Sequence, residues 1–189
     1  MAPMSLRVLA APSSDTSHVP TLILQSDSKK YMFNAGEGTT RVSAQHRASN
    51  TRVEHIFLTR VATETLGGIP GLLMTLADGG RTSINIHAPT NLKYALATTR
   101  FYARRDSMCV HAHEIGWQSP QACFQDDHIR VQSVPLVPFS YNDSAMEVDD
   151  QSDSDSQDPP SSGAEAEQWF DAVIRDAWKT QASAVSGQS

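Results

Sequence analysis

The stretch IFLTRVATETLGGIPGLL, Ile56 to Leu73, leaves few ways for the chain to fold. It begins with an apolar run that reads as a buried strand ending at Thr59. After a turn come Gly67-Gly68 and Pro70-Gly71, and the apolar residues around them open a helix over Ile69–Leu76, closed by ADGG. A strand that gives way so soon to a helix brings the helix N-terminus against the sheet. Gly67, Gly68, Pro70 and Gly71 serve that backbone need. A helix N-terminus can also cradle a phosphate, but the residues here read as a packing turn. Gly36 and Gly38, in GEG, read the same way, because the full dinucleotide fingerprint is missing.

Other elements surround this unit. Ser5–Ala10, Pro20–Ser26 and Lys30–Ala35 have the character of strands, with Asp27-Ser28 as a turn between the last two. A short helix is expected over Thr39–Arg47, a strand over Ser83–His87, and a helix from Asn91 through Arg104. Further strands are expected at Met108–Ile115, Ala122–Phe124 and Ile129–Leu136. Strands alternating with helices indicate a layered α/β fold, and the early hairpin makes its sheet mixed.

Charge divides the chain. Residues 1–140 carry 13 Lys and Arg against 10 acids, whereas residues 141–189 carry 2 against 11. NDSAMEVDDQSDSDSQDPPSSG has no hydrophobic period and no base. Its composition cannot offset chain entropy of ~1–2 kcal/mol per residue, so it reads as disordered. The expected organisation is a domain over 1–140, an acidic linker over 141–163, an amphipathic helix over 164–182 and a frayed terminus over 183–189. The helix carries Trp169, Phe170, Val173, Ile174 and Trp178 at helical spacings, with no partner in its own segment. No run approaches the ~18 apolar residues of a membrane span. Two cysteines, Cys109 and Cys123, make no disulfide framework, so a reducing compartment is the default.

Taken together, YMFNAGEGTTR, HIFLTRVATETLGGIPGLL and DDHIRVQSVPLVP resemble the metallo-β-lactamase superfamily. More narrowly, they resemble the amino-terminal half of long-form ribonuclease Z (tRNase Z), over roughly residues 5 to 138. The resemblance implies a metallo-β-lactamase-like α/β fold: half of an αββα sandwich, with mixed sheets and helices outside. It also implies a zinc-dependent endonuclease that processes tRNA 3′ ends. The partners would be a carboxyl-terminal catalytic half and precursor tRNA, with residence in the nucleus and/or mitochondrion.

Active members of that superfamily carry histidines and an aspartate in this loop, where the present chain has Arg60, Ala62, Glu64 and Thr65. Asn34 stands where the first-motif acid belongs. Two-metal hydrolysis requires carboxylate and imidazole donors around ions ~3.5–4 Å apart. A guanidinium repels a divalent ion, a methyl group donates nothing and a hydroxyl is a poor ligand. The chain is therefore expected to supply no catalytic residue and to bind no metal or cofactor, zinc belonging to the catalytic half.

Two further clusters draw attention. Cys109, His111 and His113 alternate along a strand and share one side, without an apparent fourth ligand; His18, His46, His55, His87 and His128 are scattered. Lys93, Arg100 and Arg104 fall within about 40° of one another on a helix, a stripe that would suit a phosphate backbone. Two functions fit these features: a silent half that supports a catalytic half and helps position tRNA, or a free-standing pseudo-enzyme that acts as an RNA- or protein-binding adaptor.

Overall fold

The computed structural model describes residues 3–103, 105–116, 121–136, 168–172 and 174. Six strands form one sheet in sequence order: β1 (Ser5–Ala10), β2 (Thr21–Gln25), β3 (Lys30–Phe33), β4 (Val53–Phe57), β5 (Ser83–Pro89) and β6 (Cys109–Ile115). The first two pairings are antiparallel, and the remaining three are parallel. Parallel neighbours need long crossovers. These are supplied by α1 (Thr39–Gln45), by α2 (Thr63–Leu66) with α3 (Ile69–Asp78), and by α4 (Leu92–Thr98). A separate hairpin, β7 (Gln121–Gln125) and β8 (Arg130–Ser133), completes the elements.

Strand register divides the sheet into two unlike faces. Ile23, Met32, Ile56, Ile86 and Ala112 pair across β2 to β6 as one continuous row. With Val42, Leu72, Leu73, Leu76, Leu92 and Leu96 from the helices, that row makes the apolar core. The residues one step along each strand point the other way. They form two further rows: Leu22, Phe33, Phe57, His87 and His113; then Leu24, Tyr31, His55, Asn85 and His111. The hairpin lies on this second face, where Phe124 packs against His55 and Phe57, with ring centroids 4.1 and 5.8 Å away.

Asp126 clasps the hairpin in place. One carboxylate oxygen accepts the His128 and Ile129 amides at 2.8 and 2.9 Å and closes the turn. The other accepts the Tyr31 hydroxyl at 2.5 Å and the Lys29 ammonium at 3.1 Å. Burial pushes the Asp126 pKa up, but the Tyr31 hydroxyl, the two amides and Lys29 outweigh it and hold it below the usual carboxylate range. Asp126→Ala leaves the Tyr31 hydroxyl without its acceptor. We expect a loss of about 2 kcal/mol in urea unfolding, with amide exchange rising first in β7 and β8. An unchanged urea midpoint would refute the clasp.

The structure departs from the sequence expectations at three places. The helix expected through Arg104 ends at Thr98 and tightens into a 3-10 turn over Thr99–Phe101. There the Thr98 and Thr99 hydroxyls donate back to the Ala95 and Leu96 carbonyls, at 2.7 Å each, which competes with continued helix. α2 is an additional short helix within the loop that was expected to be a turn. Strand β8 stops at Ser133, short of Leu136, and Pro135 has no N–H to extend a ladder.

Of the expected helix over 164–182, residues 168–172 and 174 are described, and they are helical. Their partner is α4 of the same chain. Ile174 is 4% exposed and joins the core. Phe170 meets Tyr94 edge-on at 5.7 Å, and Asp171 pairs with Lys93 at 3.0 Å. The expected linker over 141–163 and terminus over 183–189 lie outside the described residues, as do Val173 and Trp178. Among the described residues no helix is long and apolar enough to cross a membrane.

Candidate functional site

The punctuated loop sits where β3 and β4 end side by side. Asn34 leaves β3 with φ of 58°, a left-handed conformation that asparagine tolerates better than most residues. Its amide donates to the Phe57 carbonyl at 2.8 Å, binding the two strand ends together. Its side-chain oxygen accepts from the Thr59 amide at 3.0 Å and the Thr59 hydroxyl at 3.1 Å. Thr65 is buried, its hydroxyl 2.5 Å from the Arg60 carbonyl and 3.0 Å from that of Ala62. The Ser17 hydroxyl donates to the Glu64 carbonyl. The Asn34 side-chain oxygen and the Thr65 hydroxyl are thus both engaged within the loop itself.

Two glycines let the segments meet. The Ala35 amide donates to the Thr65 carbonyl at 2.7 Å, and the Gly68 amide donates to the Ala35 carbonyl at 2.8 Å. A methyl group on Gly68 would lie 2.2 Å from the Gly36 carbonyl oxygen, and one on Gly36 would lie 2.5 Å from that of Glu64. Gly38, at φ of 80°, needs its left-handed conformation to start α1. Gly71 is different: its nearest foreign atom would be the Thr40 hydroxyl, at an ordinary 3.8 Å. Pro70 lies in the first turn of α3, where its missing N–H costs no helical bond.

These side chains do not fit zinc. Arg60 is a permanent cation, 3.5 Å from Glu64 in an exposed pair. Ala62 has no donor, and the Thr65 hydroxyl is committed to backbone carbonyls. The oxygen of Asn34 already accepts two hydrogen bonds. Among the described residues no three His, Cys, Asp or Glu side chains converge as metal ligands.

Histidines that look scattered in the sequence meet on the second sheet face. Phe33, Phe57, His87 and His113 stack in a ladder, with successive centroids 5.2, 4.7 and 4.6 Å apart. His55 Nδ1 lies 3.2 Å from His87 Nε2, and His113 Nε2 lies 3.1 Å from Asn85 Oδ1. His111 is exposed on the neighbouring row, and Cys109 begins the same strand half-buried. The i, i+2 spacing within each of HIF, NIH and HAH carries the signal for this ladder. Only the register between strands turns it into contacts.

The expected basic stripe is divided. Lys93 has its ammonium on Asp171, with its side chain 16% exposed. Arg100 donates to the Ala97 carbonyl at 3.1 Å and lies 4.1 Å over the Phe101 ring. Arg104 lies outside the described residues.

Comparison with known proteins shows one consistent likeness. A family model described as tRNase Z endonuclease matches residues 7–68. A mitochondrial tRNase Z of Arabidopsis thaliana is 42% identical over 106 residues, which is 55% of this chain and 11% of that protein. A mitochondrial ribonuclease Z of Drosophila melanogaster is 36% identical over 114 residues, 60% of this chain and 14% of that protein. Among solved structures, a long-form RNase Z from yeast superposes with a TM-score of 0.59 at 28% identity, over 65% of this chain and 16% of that one. The chain therefore spans between 11% and 14% of the length of these two curated relatives. The architecture is that of the metallo-β-lactamase fold.

Proposed function

The chain belongs to the tRNase Z family, and from that premise we propose that it is the non-catalytic amino-terminal half of a long-form enzyme. The carrying observation is the loop at the ends of β3 and β4, whose Asn34 and Thr65 side chains bond to the loop's own backbone and to Thr59 rather than face a ligand. The match of this chain to one part of a long-form yeast enzyme points the same way. In this reading a zinc-bearing carboxyl-terminal half performs the hydrolysis. The present domain supports that half and helps position precursor tRNA for removal of the 3′ trailer. Lys93, Arg100 and Arg104 remain candidates for RNA contact, the first of them once Asp171 is displaced. The names of the relatives in Arabidopsis and Drosophila favour mitochondrial residence.

The test is cleavage of a precursor tRNA by the purified chain with added zinc, alone and mixed with a zinc-bearing half from a relative. We expect no product above background from the chain alone. We also expect a faster rate, or a lower KM, when it is added to the half-enzyme. Cleavage by the chain alone at an enzyme-like rate would overturn the proposal.

A further inference from the structure

Of the cations described, Lys30 has the least ordinary surroundings. It begins β3 and points to the same side as Met32, two residues on, yet it is only 7% exposed. Its ammonium donates to the Ser49 carbonyl at 2.6 Å and, among the described residues, meets no other acceptor. Burying a charge without a counter-charge is costly. Burial, and then the nearby charges of Arg52 and Arg7, push its pKa down. The other cations near acids behave differently. Lys29, Arg60, Arg81, Lys93 and Arg105 each pair with a carboxylate. Among the described residues Arg7, Lys30 and Arg52 pair with none.

The surroundings supply further donors. Arg52 leads into β4, and one guanidinium nitrogen is anchored by the Asp27 carbonyl at 2.9 Å, so the group is held beside the β2–β3 turn. Asp27, three residues before Lys30, forms no ion pair with this cluster among the described residues, and Glu54, two residues after Arg52, is paired with Arg81 at 3.2 Å instead. The Ser49 and Thr51 hydroxyls lie 2.8 Å apart in the same loop. Arg7 projects from β1 on the face that carries Lys30, since it pairs with Ile23, and Ile23 pairs with Met32. A compact ammonium flanked by two guanidinium forks and hydroxyl donors is chemistry suited to a tetrahedral oxyanion.

We propose that Arg7, Lys30 and Arg52, with the Ser49–Thr51 hydroxyls, form a phosphate-binding site. Its ligand is a phosphate group, carried either by inorganic phosphate or by a nucleic-acid backbone. Binding would supply the counter-charge that Lys30 lacks and relieve the mutual repulsion of the three cations. The site lies apart from the loop at the ends of β3 and β4 and does not depend on the silent-half reading.

Thermal unfolding of the full chain in inorganic phosphate, against chloride at matched ionic strength, provides the first test. The wild type should gain Tm along a saturating curve, as a site-bound ligand requires. Lys30→Met, which exchanges a buried charge for apolar volume, should lose that gain, and so should Arg7→Gln/Arg52→Gln. The charge-matched control Arg41→Gln/Arg60→Gln should keep it. A labelled RNA hairpin distinguishes the two sources of phosphate. If the backbone is the ligand, both site variants lose roughly tenfold in affinity, and the salt slope falls by about 1 to 2. Saturable phosphate binding with RNA affinity unchanged assigns the site to the free ion. A Tm gain that never saturates and is shared by every variant, or a control that loses as much as the site variants, overturns the site. Should Lys30→Met fail to fold, the arginine pair decides.

Discussion

Replacing Gly68 with alanine is expected to cost about 4 kcal/mol, enough to leave much of the protein unfolded at physiological temperature. The new methyl carbon would stand 2.2 Å from the Gly36 carbonyl oxygen and 3.0 Å from that of Ala35. Both obstacles are backbone, so no side chain can rotate to make room. Relief would require pulling the start of α3 away from the segment that follows β3. That would stretch the bond from the Gly68 amide to the Ala35 carbonyl, now 2.8 Å. It would also loosen Ile69 and Leu72, which are buried in the core directly behind. Gly71→Ala is the control on the same helix: with 3.8 Å to its nearest neighbour it should be neutral, or stabilising by about 0.5–1 kcal/mol. Urea midpoints for the two variants decide the matter. Equal midpoints would mean that close backbone approach does not explain the glycine pair.

That contrast answers why the outline of a metal loop stands without metal ligands. A ligand side chain can be exchanged without disturbing the strand ends, because the Asn34 side chain accepts from the Thr59 amide and the Thr65 hydroxyl donates to the Arg60 and Ala62 carbonyls in its place. The glycine at the contact between α3 and the β3 exit cannot be exchanged in the same way. Packing there is set by backbone oxygen atoms, whatever chemistry the loop performs.

The sequence made much of this visible, for identifiable reasons. The strands of the main sheet are legible because each is a short apolar or alternating run bounded by turn residues. α3 is legible from its apolar spacing and closing glycines. The unsuitability of Arg60 and Ala62 as ligands follows from side-chain chemistry alone. The ladder of Phe33, Phe57, His87 and His113 was hidden, because it depends on the pairing of β3 through β6, which no single segment reveals. The same limit applies to Asp126: it reads as a turn residue, and only the fold brings Tyr31 within 2.5 Å of it. The partner of the helical residues 168–172 and 174 was hidden too. α4 shows its own apolar strip in the sequence, but nothing local says that a segment so distant will return to cover it.

Acid should weaken the fold well before its carboxylates titrate, and His87 should be the main cause. The residue is 5% exposed, with Nδ1 buried and without a hydrogen-bond partner. Its Nε2 faces His55 Nδ1 at 3.2 Å, so one of those two nitrogens must remain an acceptor. In either tautomer, a doubly protonated His87 carries a proton on the buried Nδ1, for which there is no acceptor among the described residues. Burial, with His113 and His55 alongside, accordingly lowers its pKa to about 4. An unfolded histidine takes up its proton near pH ~6.5. Between these values the unfolded chain binds a proton that the folded one refuses, so stability falls as pH falls. The loss begins below about pH 6.5 and is complete near pH 4, reaching about 3 kcal/mol for this residue. His55 and His113, both lowered chiefly by burial, add to it in the same direction; Glu54 and Asp126 oppose it at His55, while Lys29 reinforces it. Asp126, a lowered acid, keeps its contribution until pH falls below the ordinary carboxylate value of ~3.9, so it does not confuse the window. Urea unfolding at pH 7.5 and pH 4.5 measures the loss. His87→Phe, which keeps a ring in the ladder and cannot titrate, should show most of the drop removed, whereas an equal drop in both proteins would assign the acid sensitivity elsewhere.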